Sequence, residues 1–184
     1  MDLRVIRPSS TLRLALALLL AGSTIVLGCG SGGGGGDGDV SAGASEGSTG
    51  RRAWIESDPV SPGGTAQVRL MISKSTGVAG LDLDLEFNGS SISVLDVDCS
   101  AVTREFVLAY NSSDTESLAV SMSCGTGLAG GTGSEELLRI TFAADSSVPS
   151  GTRIPLSVTS LSAYNAVPAQ ILLRRVDGGE IHVQ

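Results

Sequence analysis

Leu81-Asp82-Leu83-Asp84-Leu85-Glu86-Phe87 is the stretch that decides the fold of this chain. Apolar and acidic residues alternate along it, and a β-strand sends successive side chains to opposite faces. The apolar residues would therefore share a buried face, and the three acids would share the face in water. A helix would wrap the acids around its axis and leave no apolar stripe, so the pattern predicts a strand.

Asp82, Asp84 and Glu86 would then stand in a row on this strand, about 7 Å apart, and we call them the acid row. The row is either a solvated face that keeps the protein soluble, or a binding face for a basic or polar partner. Two carboxylates at positions i and i+2 could also share calcium, but calcium needs several oxygen ligands and no complete calcium loop is present. We therefore predict no metal and no cofactor.

Outward from this stretch, short alternating runs are separated by turn residues such as Asn88-Gly89, a strong turn pair. No convincing helix pattern is present, and regular short strands between turns favour an all-β sandwich. The nine predicted strands lie near positions 53–55, 67–72, 81–87, 94–99, 118–124, 138–142, 154–161, 171–173 and 180–183.

The composition limits the class of partner. The 184 residues carry a formal net charge of -7, and aromatic residues make up only 3% of the chain. This length allows one domain of ordinary size. Because an acidic chain repels phosphate backbones, nucleic acid is excluded as the expected partner.

Residues 1–28 have the features of a targeting sequence. Three arginines precede an almost wholly apolar run at positions 14–27, which is shorter than the roughly 20 residues that a membrane-spanning helix needs. This pattern is typical of a secretory signal peptide. Its removal takes away three arginines and one aspartate, which leaves nine bases and eighteen acids, so the mature chain would have a formal charge of -9.

The apolar run ends in Val26-Leu27-Gly28-Cys29, which resembles the lipobox of bacterial lipoproteins. The resemblance implies a lipidated Cys29 and anchorage in the bacterial cell envelope, with Gly30 favouring the outer membrane, on its periplasmic or outer surface. A secretory signal with a coincidental cysteine is the alternative. Residues 29–52 are rich in glycine and serine and are predicted to form a flexible tether, which leaves 53–184 as the folded domain.

Seven short segments of this domain form a recognisable succession. They are VSPGGT at 60–65, GVAGLDL at 77–83, SSISVLDV at 90–97, SCGTGL at 123–128, LRITF at 138–142, VPSG at 148–151 and DGGEI at 177–181. In this order they resemble the cohesin domain, the receptor module of cellulosome scaffolds. The resemblance implies a nine-stranded jelly-roll β-sandwich of two antiparallel sheets, related in fold to cellulose-binding modules.

The resemblance also implies a function. Cohesins bind dockerin modules of secreted proteins, largely through the outer face of the sheet that contains the third strand, which here carries the acid row. Asp82 lies where many cohesins have a dockerin-contacting aspartate, whereas the asparagine that accompanies it is Gly80 in this chain. Ser121 and Ser123 point opposite to the core residues of their own strand and would join the same face.

Cys99 and Cys124 each end a predicted strand. Alternation places Leu95, Val97 and Cys99 on one face, and it places Cys124 on the apolar face of 118–124, so both sulfurs should face the core. In the cohesin topology these two strands finish at the same end of the sandwich, which implies a disulfide, and secretion permits one. Two buried free thiols are the alternative; a zinc site lacks further ligands.

Catalysis has little support in the sequence, and we predict that the chain is not an enzyme. Residues 125–130 fit G-x-G-x-x-G, but a strand pattern follows where pyrophosphate binding needs a helix N-terminus. The single histidine, His182, is expected at a strand rim, and no serine lies in a nucleophile elbow. Asp96 and Asp98 could suggest the paired carboxylates of a glycosidase, but they share one strand without an aromatic platform.

Carbohydrate binding is the second functional hypothesis, since the cohesin fold is related to that of cellulose binders. Polysaccharide would then be the partner. An exposed aromatic strip would support this hypothesis, and Trp54, Tyr110 and Tyr164 are too few to form an obvious one. A structural or adhesion lipoprotein with no specific ligand is the third.

Overall fold

The computed structural model describes residues 4–6, 50–131, 133–167 and 169–184, and all regular structure in these ranges is β-strand. The predicted all-β class is therefore confirmed. In the described residues the strands are β1 (Arg4–Ile6), β2 (Arg51–Ser57), β3 (Thr65–Ile72), β4 (Gly80–Phe87), β5 (Ile92–Cys99), β6 (Val107–Asn111), β7 (Ser117–Ser123), β8 (Glu135–Ala144), β9 (Arg153–Tyr164), β10 (Gln170–Ile171), β11 (Leu173–Asp177) and β12 (Gly179–His182).

These strands form two sheets around one apolar core. One sheet has the order β1-β6-β7-β4-β9-β10, with β12 also paired to β9, and the other has the order β11-β2-β3-β8-β5. Paired strands are antiparallel except for β11 and β2, which run parallel. Consecutive strands repeatedly change sheet, as in the predicted jelly-roll sandwich. The excess over nine strands comes from β1, from β6, and from the division of the 171–173 region between β10 and β11.

The alternation in β4 is confirmed at every position. Leu81, Leu83, Leu85 and Phe87 are buried, whereas the acid row is exposed. The ring of Phe87 meets that of Phe142 on the opposite sheet edge-on, with 5.1 Å between centroids. Burial of each such side chain contributes about 1.5–3 kcal/mol, so β4 holds the two sheets together.

Strand β5 departs from its predicted register. Val94 pairs with Phe142 and Asp96 pairs with Thr141, so Leu95 is an extra residue that bulges out of the ladder. Leu95 is 51% exposed, and the prediction that it shares the core face with Val97 is wrong. A bulge reverses the alternation on one side of it, which is why Val97 is buried although Leu95 is not.

The predicted disulfide between Cys99 and Cys124 is absent, and both thiols are free. Both residues pack against the core, but each sulfur faces a backbone carbonyl in its own neighbourhood. Cys99 Sγ lies 3.8 Å from the Phe106 oxygen, and Cys124 Sγ donates to the Thr126 oxygen. Burial raises the pKa of the Cys99 thiol, which favours its protonated form.

Regular structure in the domain begins at Arg51, two residues before the predicted boundary at Ala53. Arg51 and Arg52 extend β2 because they register with Leu173 and Arg175 of β11. Apart from Arg4–Ile6 and residues 50–52, the predicted signal peptide and tether, with Cys29, lie outside the described residues. In the part of the chain that the structure describes, no helix has the length and apolarity to cross a membrane.

The glycine-rich loop at 125–130 is built for close contact with the loop at 75–78. Leu128 N donates to Val78 O at 2.8 Å, and Gly77 N donates to Leu128 O at 2.7 Å. A Cβ at Gly127 would lie 2.9 Å from Gly77 O, and one at Gly130, where φ is +54°, would lie 2.6 Å from Ser75 Oγ. The loop leads into β8 and not into a helix, so its glycines serve loop packing.

We therefore expect Gly127→Ala and Gly130→Ala each to lower the free energy of unfolding by about 1–3 kcal/mol, through backbone clash and, at Gly130, an unfavourable φ. Gly125 is the matched control from the same motif, because no atom lies within 4 Å of its Cβ position. Gly125→Ala should change stability by no more than about 0.5 kcal/mol. Urea unfolding measures all three variants, and equal effects would contradict the packing role.

Candidate functional site

The outer face of the seven-stranded sheet carries the acid row at its centre. The row lies on β4, between β7 and β9, and all three side chains are exposed. Among the ion pairs of the described residues, none involves Asp82, Asp84 or Glu86. The row therefore presents three carboxylates to solvent without a bound cationic side chain.

Small side chains border the acid row on both sides. On β7, Asp82 registers with Ser121, Asp84 with Ala119 and Glu86 with Ser117. On β9, the same three acids register with Ser162, Ser160 and Ser157. Because serine and alanine are shorter than the acids, the carboxylates project beyond their small, mostly polar neighbours, where a partner could approach them closely.

The two predicted serines lie on this face. Ser121 Oγ donates to Asp82 Oδ1 at 2.7 Å, which fixes the orientation of that carboxylate. Ser123 is exposed beyond it and registers with Gly80. The structure thus brings all five predicted partner-binding residues together on one sheet face.

Sequence reasoning missed the apolar end of the face. Val107 of β6 is 56% exposed and registers with Ser123, and Tyr164 of β9 registers with Gly80. A Cβ at Gly80 would be 3.7 Å from Tyr164 Cβ and Cδ2, so the tyrosine lies against a position that has no side chain of its own. The face is therefore acidic along β4 and apolar at the Val107–Tyr164 end.

The outer face of the five-stranded sheet has a different electrostatic character, because its acids meet arginines. Glu56, Arg69, Arg139 and Asp98 register with one another across four strands. Arg69 Nη2 also lies 2.8 Å from Asp58 Oδ1. Arg69 and Arg139 lie among the acids of this face, so it is less purely anionic than the face that carries the acid row.

Asp96 and Asp98 lie on this second face and not in a catalytic cleft. Partial burial raises the pKa of the Asp98 carboxyl, the charge of Asp96 raises it further, and Arg139 opposes the increase. Asp96 Oδ1 accepts a hydrogen bond from Val97 N at 3.0 Å at the β5 bulge. The two acids therefore belong to the charge pattern of an edge strand.

His182 belongs to an ion-pair cluster at the rim of the sandwich. Glu180 Oε1 lies 2.6 Å from His182 Nε2 and 2.7 Å from Arg153 Nη1. The hydrogen bond from His182, followed by the charge of Arg153, lowers the pKa of Glu180. Ser57 lines the same shallow cavity of about 250 Å³, but its hydroxyl donates to the Glu180 carbonyl oxygen, so histidine does not activate it.

The aromatic residues do not form a sugar-binding strip. Trp54 lies on β2, where its Nε1 donates to Glu56 Oε1 at 2.8 Å, and Tyr164 lies on the other sheet. Tyr110 is buried at 7% exposure. Within the described ranges there is also no group of three or more histidine, cysteine, aspartate or glutamate side chains that could hold a metal ion.

No family profile and no curated protein sequence matches the chain. Among solved structures, the sixth cohesin of scaffoldin B from Acetivibrio cellulolyticus, in complex with the Cel5 dockerin, is similar with a TM-score of 0.64 and 16% identity, covering 74% of this chain and 100% of that one. A non-cellulosomal cohesin from the archaeon Archaeoglobus fulgidus has a TM-score of 0.62 and 16% identity, covering 73% of this chain and 91% of its own.

The OlpA cohesin in the Coh-OlpA–Doc918 complex from Clostridium thermocellum has a TM-score of 0.62 and 14% identity, covering 73% of this chain and 99% of that chain. These structures share the architecture of the chain over almost their entire length, while their sequences have diverged widely from it. The chain therefore has the cohesin fold.

Proposed function

We propose that the chain is a non-catalytic binding module that recruits a dockerin-like protein through the face carrying the acid row. The observation that carries this proposal is the row of three exposed carboxylates, bordered by small side chains and forming no ion pair within the described residues. Two of the similar cohesins are described as complexes with dockerins, which supports a partner of the same kind.

The chemistry of the face indicates what the partner must offer. Lysine, arginine or hydroxyl donors would meet Asp82, Asp84 and Glu86, and Ser121 and Ser123 would supply further hydrogen bonds. An apolar side chain would cover the Val107–Tyr164 end. A partner with both features would be complementary in charge and in polarity, and such complementarity raises association rates and selects among partners.

The leader sequence favours a position in the cell envelope. Lipidation at Cys29 would anchor the mature chain to a membrane, and the tether would hold the domain away from the surface. Multiple acyl chains give stable anchorage, whereas a single chain gives only marginal binding. In this arrangement the domain acts as a receptor for soluble proteins on the bacterial envelope, at the outer membrane.

Carbohydrate binding is not favoured as a second function. A flat sugar-binding surface needs several coplanar aromatic rings, and Trp54, Tyr110 and Tyr164 are divided between two sheet faces and the core. Polysaccharide pull-down is the direct check on this alternative.

The proposal is tested by calorimetric titration of the mature chain, residues 29–184 with Cys29 unlipidated, against the dockerin modules encoded in the source genome. Binding of at least one module with a 1:1 ratio is expected. Absence of binding across the whole set, together with retention on insoluble polysaccharide, would overturn the proposal in favour of the carbohydrate hypothesis.

A further inference from the structure

The edge strands of the sandwich are not protected equally against pairing with another chain. Exposed edges are usually guarded by charges, bulges, proline or short length. In the described residues, β5 has the Leu95 bulge beside Asp96 and Asp98, and β11 has a shifted register and consecutive arginines. At the other end of the seven-stranded sheet, β10 has two residues and β12 has four.

Strand β6 has none of these guards. Its sequence, Val107-Leu108-Ala109-Tyr110-Asn111, contains no charge and no proline. Its five residues pair with β7 in unbroken register, from Val107 with Ser123 to Asn111 with Ala119. The opposite side of this ladder therefore offers an unbroken row of backbone donors and acceptors.

The structure contains a strand seated on that side. β1 pairs with β6 in antiparallel register, with Arg4 opposite Tyr110, Val5 opposite Ala109 and Ile6 opposite Leu108. Residues 4–6 fall within the predicted signal peptide, so cleavage after Gly28 would vacate this position. The edge would then be open in the mature chain, next to the face that carries the acid row.

We infer that the free edge of β6 in the mature chain is a strand-addition site that takes an extended, antiparallel segment of a partner protein, with β-branched residues and a cationic flank. The Arg-Val-Ile sequence of β1 is the pattern for this segment, since β-branched residues favour strands. Main-chain hydrogen bonds would supply affinity, and alternate side chains would supply selectivity.

Charge argues for a cationic partner and against a second copy of this chain. Asp114 and Glu116 are exposed in the loop that follows β6. A second copy would bring another formal charge of -9 to the contact, whereas a basic segment would be attracted. This site uses the backbone edge of β6 and is separate from the carboxylates of the acid row.

The test uses residues 29–184 and a synthetic peptide of residues 1–8, with amide exchange and chemical shifts followed by NMR. The peptide is expected to slow exchange of those β6 amides that do not pair with β7, and to perturb β6 more than any other strand. The full chain 1–184 in detergent, whose edge is already filled by β1, should bind at least tenfold less peptide. A peptide with Val5→Pro should bind at least tenfold more weakly, because proline removes a ladder hydrogen bond.

Val107→Lys places a guard charge on the β6 edge, and Leu95→Lys makes the same type of change at the exposed bulge of β5. We expect the first to weaken peptide binding at least tenfold and the second to leave it within twofold. Equal effects of the two, or unchanged exchange in β6 at saturating peptide, would overturn the inference. A concentration-dependent dimer that forms through β6 would overturn it in favour of a second copy.

The Asp82→Lys, Asp84→Lys, Glu86→Lys variant separates this inference from the proposed function. It is expected to lose dockerin binding and to keep the β6 exchange response to the peptide. Loss of the β6 exchange response in that variant would show that the peptide binds the acid row, and it would overturn the assignment of the β6 edge as the binding site.

Discussion

Reversing the charge of the acid row, by Asp82→Lys, Asp84→Lys and Glu86→Lys together, is expected to weaken binding of a dockerin module at least 100-fold. The change removes three favourable charges and places three cations where the partner presents cations or donors. Like charges brought together at an interface cost several kcal/mol, and a 100-fold loss needs only about 2.7 kcal/mol. Calorimetric titration of the module that binds the unmodified chain gives the measurement.

The fold should survive this change, because the three side chains are exposed and flanked by serine and alanine. Removing adjacent like charges also relieves repulsion along β4, although the new lysines repel one another in turn. Thermal unfolding should therefore show a cooperative transition close to that of the unmodified chain. An affinity that stays within threefold in a folded variant would disprove the assignment of this face.

Two triple variants, each of which neutralises three acids, distinguish the effect of charge location on affinity from the effect of net charge. Asp82→Asn, Asp84→Asn and Glu86→Gln raise the net charge by three on one face. Glu56→Gln, Asp96→Asn and Asp98→Asn make the same change on the other sheet. We expect about a tenfold loss for the first set and less than a twofold loss for the second, since only the first set would contact the partner. Equal losses would indicate long-range steering by the net charge.

The part of the site that could be predicted from sequence depends on uninterrupted alternation. In β4, the same alternation predicts both the buried leucines and the exposed acid row, so it predicts the fold and the candidate binding face at once. Ser121 and Ser123 follow from the same period-two rule in β7. Their exposure needs no knowledge of which strands are neighbours, whereas their place beside the acid row depends on the pairing of β7 with β4.

The errors arise where the position of a side chain depends on the partner strand. Leu95 fits the alternation with Val97 as well as any core residue, and only the pairing of Val94 and Asp96 with successive residues of β8 reveals the bulge. The wrong prediction of a disulfide has a similar cause. Alternation places Cys99 and Cys124 toward the core, but it does not determine the direction in which each sulfur turns.

The apolar end of the face was missed for a related reason. The five residues of β6 follow a turn-rich stretch, and alanine and asparagine blur the alternation between buried and exposed positions. Tyr164 is an isolated aromatic in sequence, and it gains significance only because its strand brings it opposite Gly80. The apolar end of the face is formed by pairing between strands that are distant in the chain, and such pairing is difficult to predict from a single sequence.

The architecture itself rests on the parity of β4, which Leu83→Asp tests most severely. Leu83 is 1% exposed, so the variant loses about 1.5–3 kcal/mol of apolar burial and places a carboxylate in the core without a cation. Together these costs are comparable to the whole stability of a typical domain, about 5–15 kcal/mol. We expect loss of the cooperative urea transition, whereas Asp84→Leu, one position along, should stay folded.

Two alanine variants compare the buried and exposed faces of β4 quantitatively, even where Leu83→Asp fails to fold. Leu83→Ala should lower the free energy of unfolding by about 2–5 kcal/mol, because it leaves a cavity between the sheets. Asp84→Ala, at an exposed position, should change it by no more than about 0.5 kcal/mol. If the two alanine variants were equally stable, β4 would not have one buried and one solvent-exposed face. That result would disprove both the sandwich architecture and the exposure of the acid row.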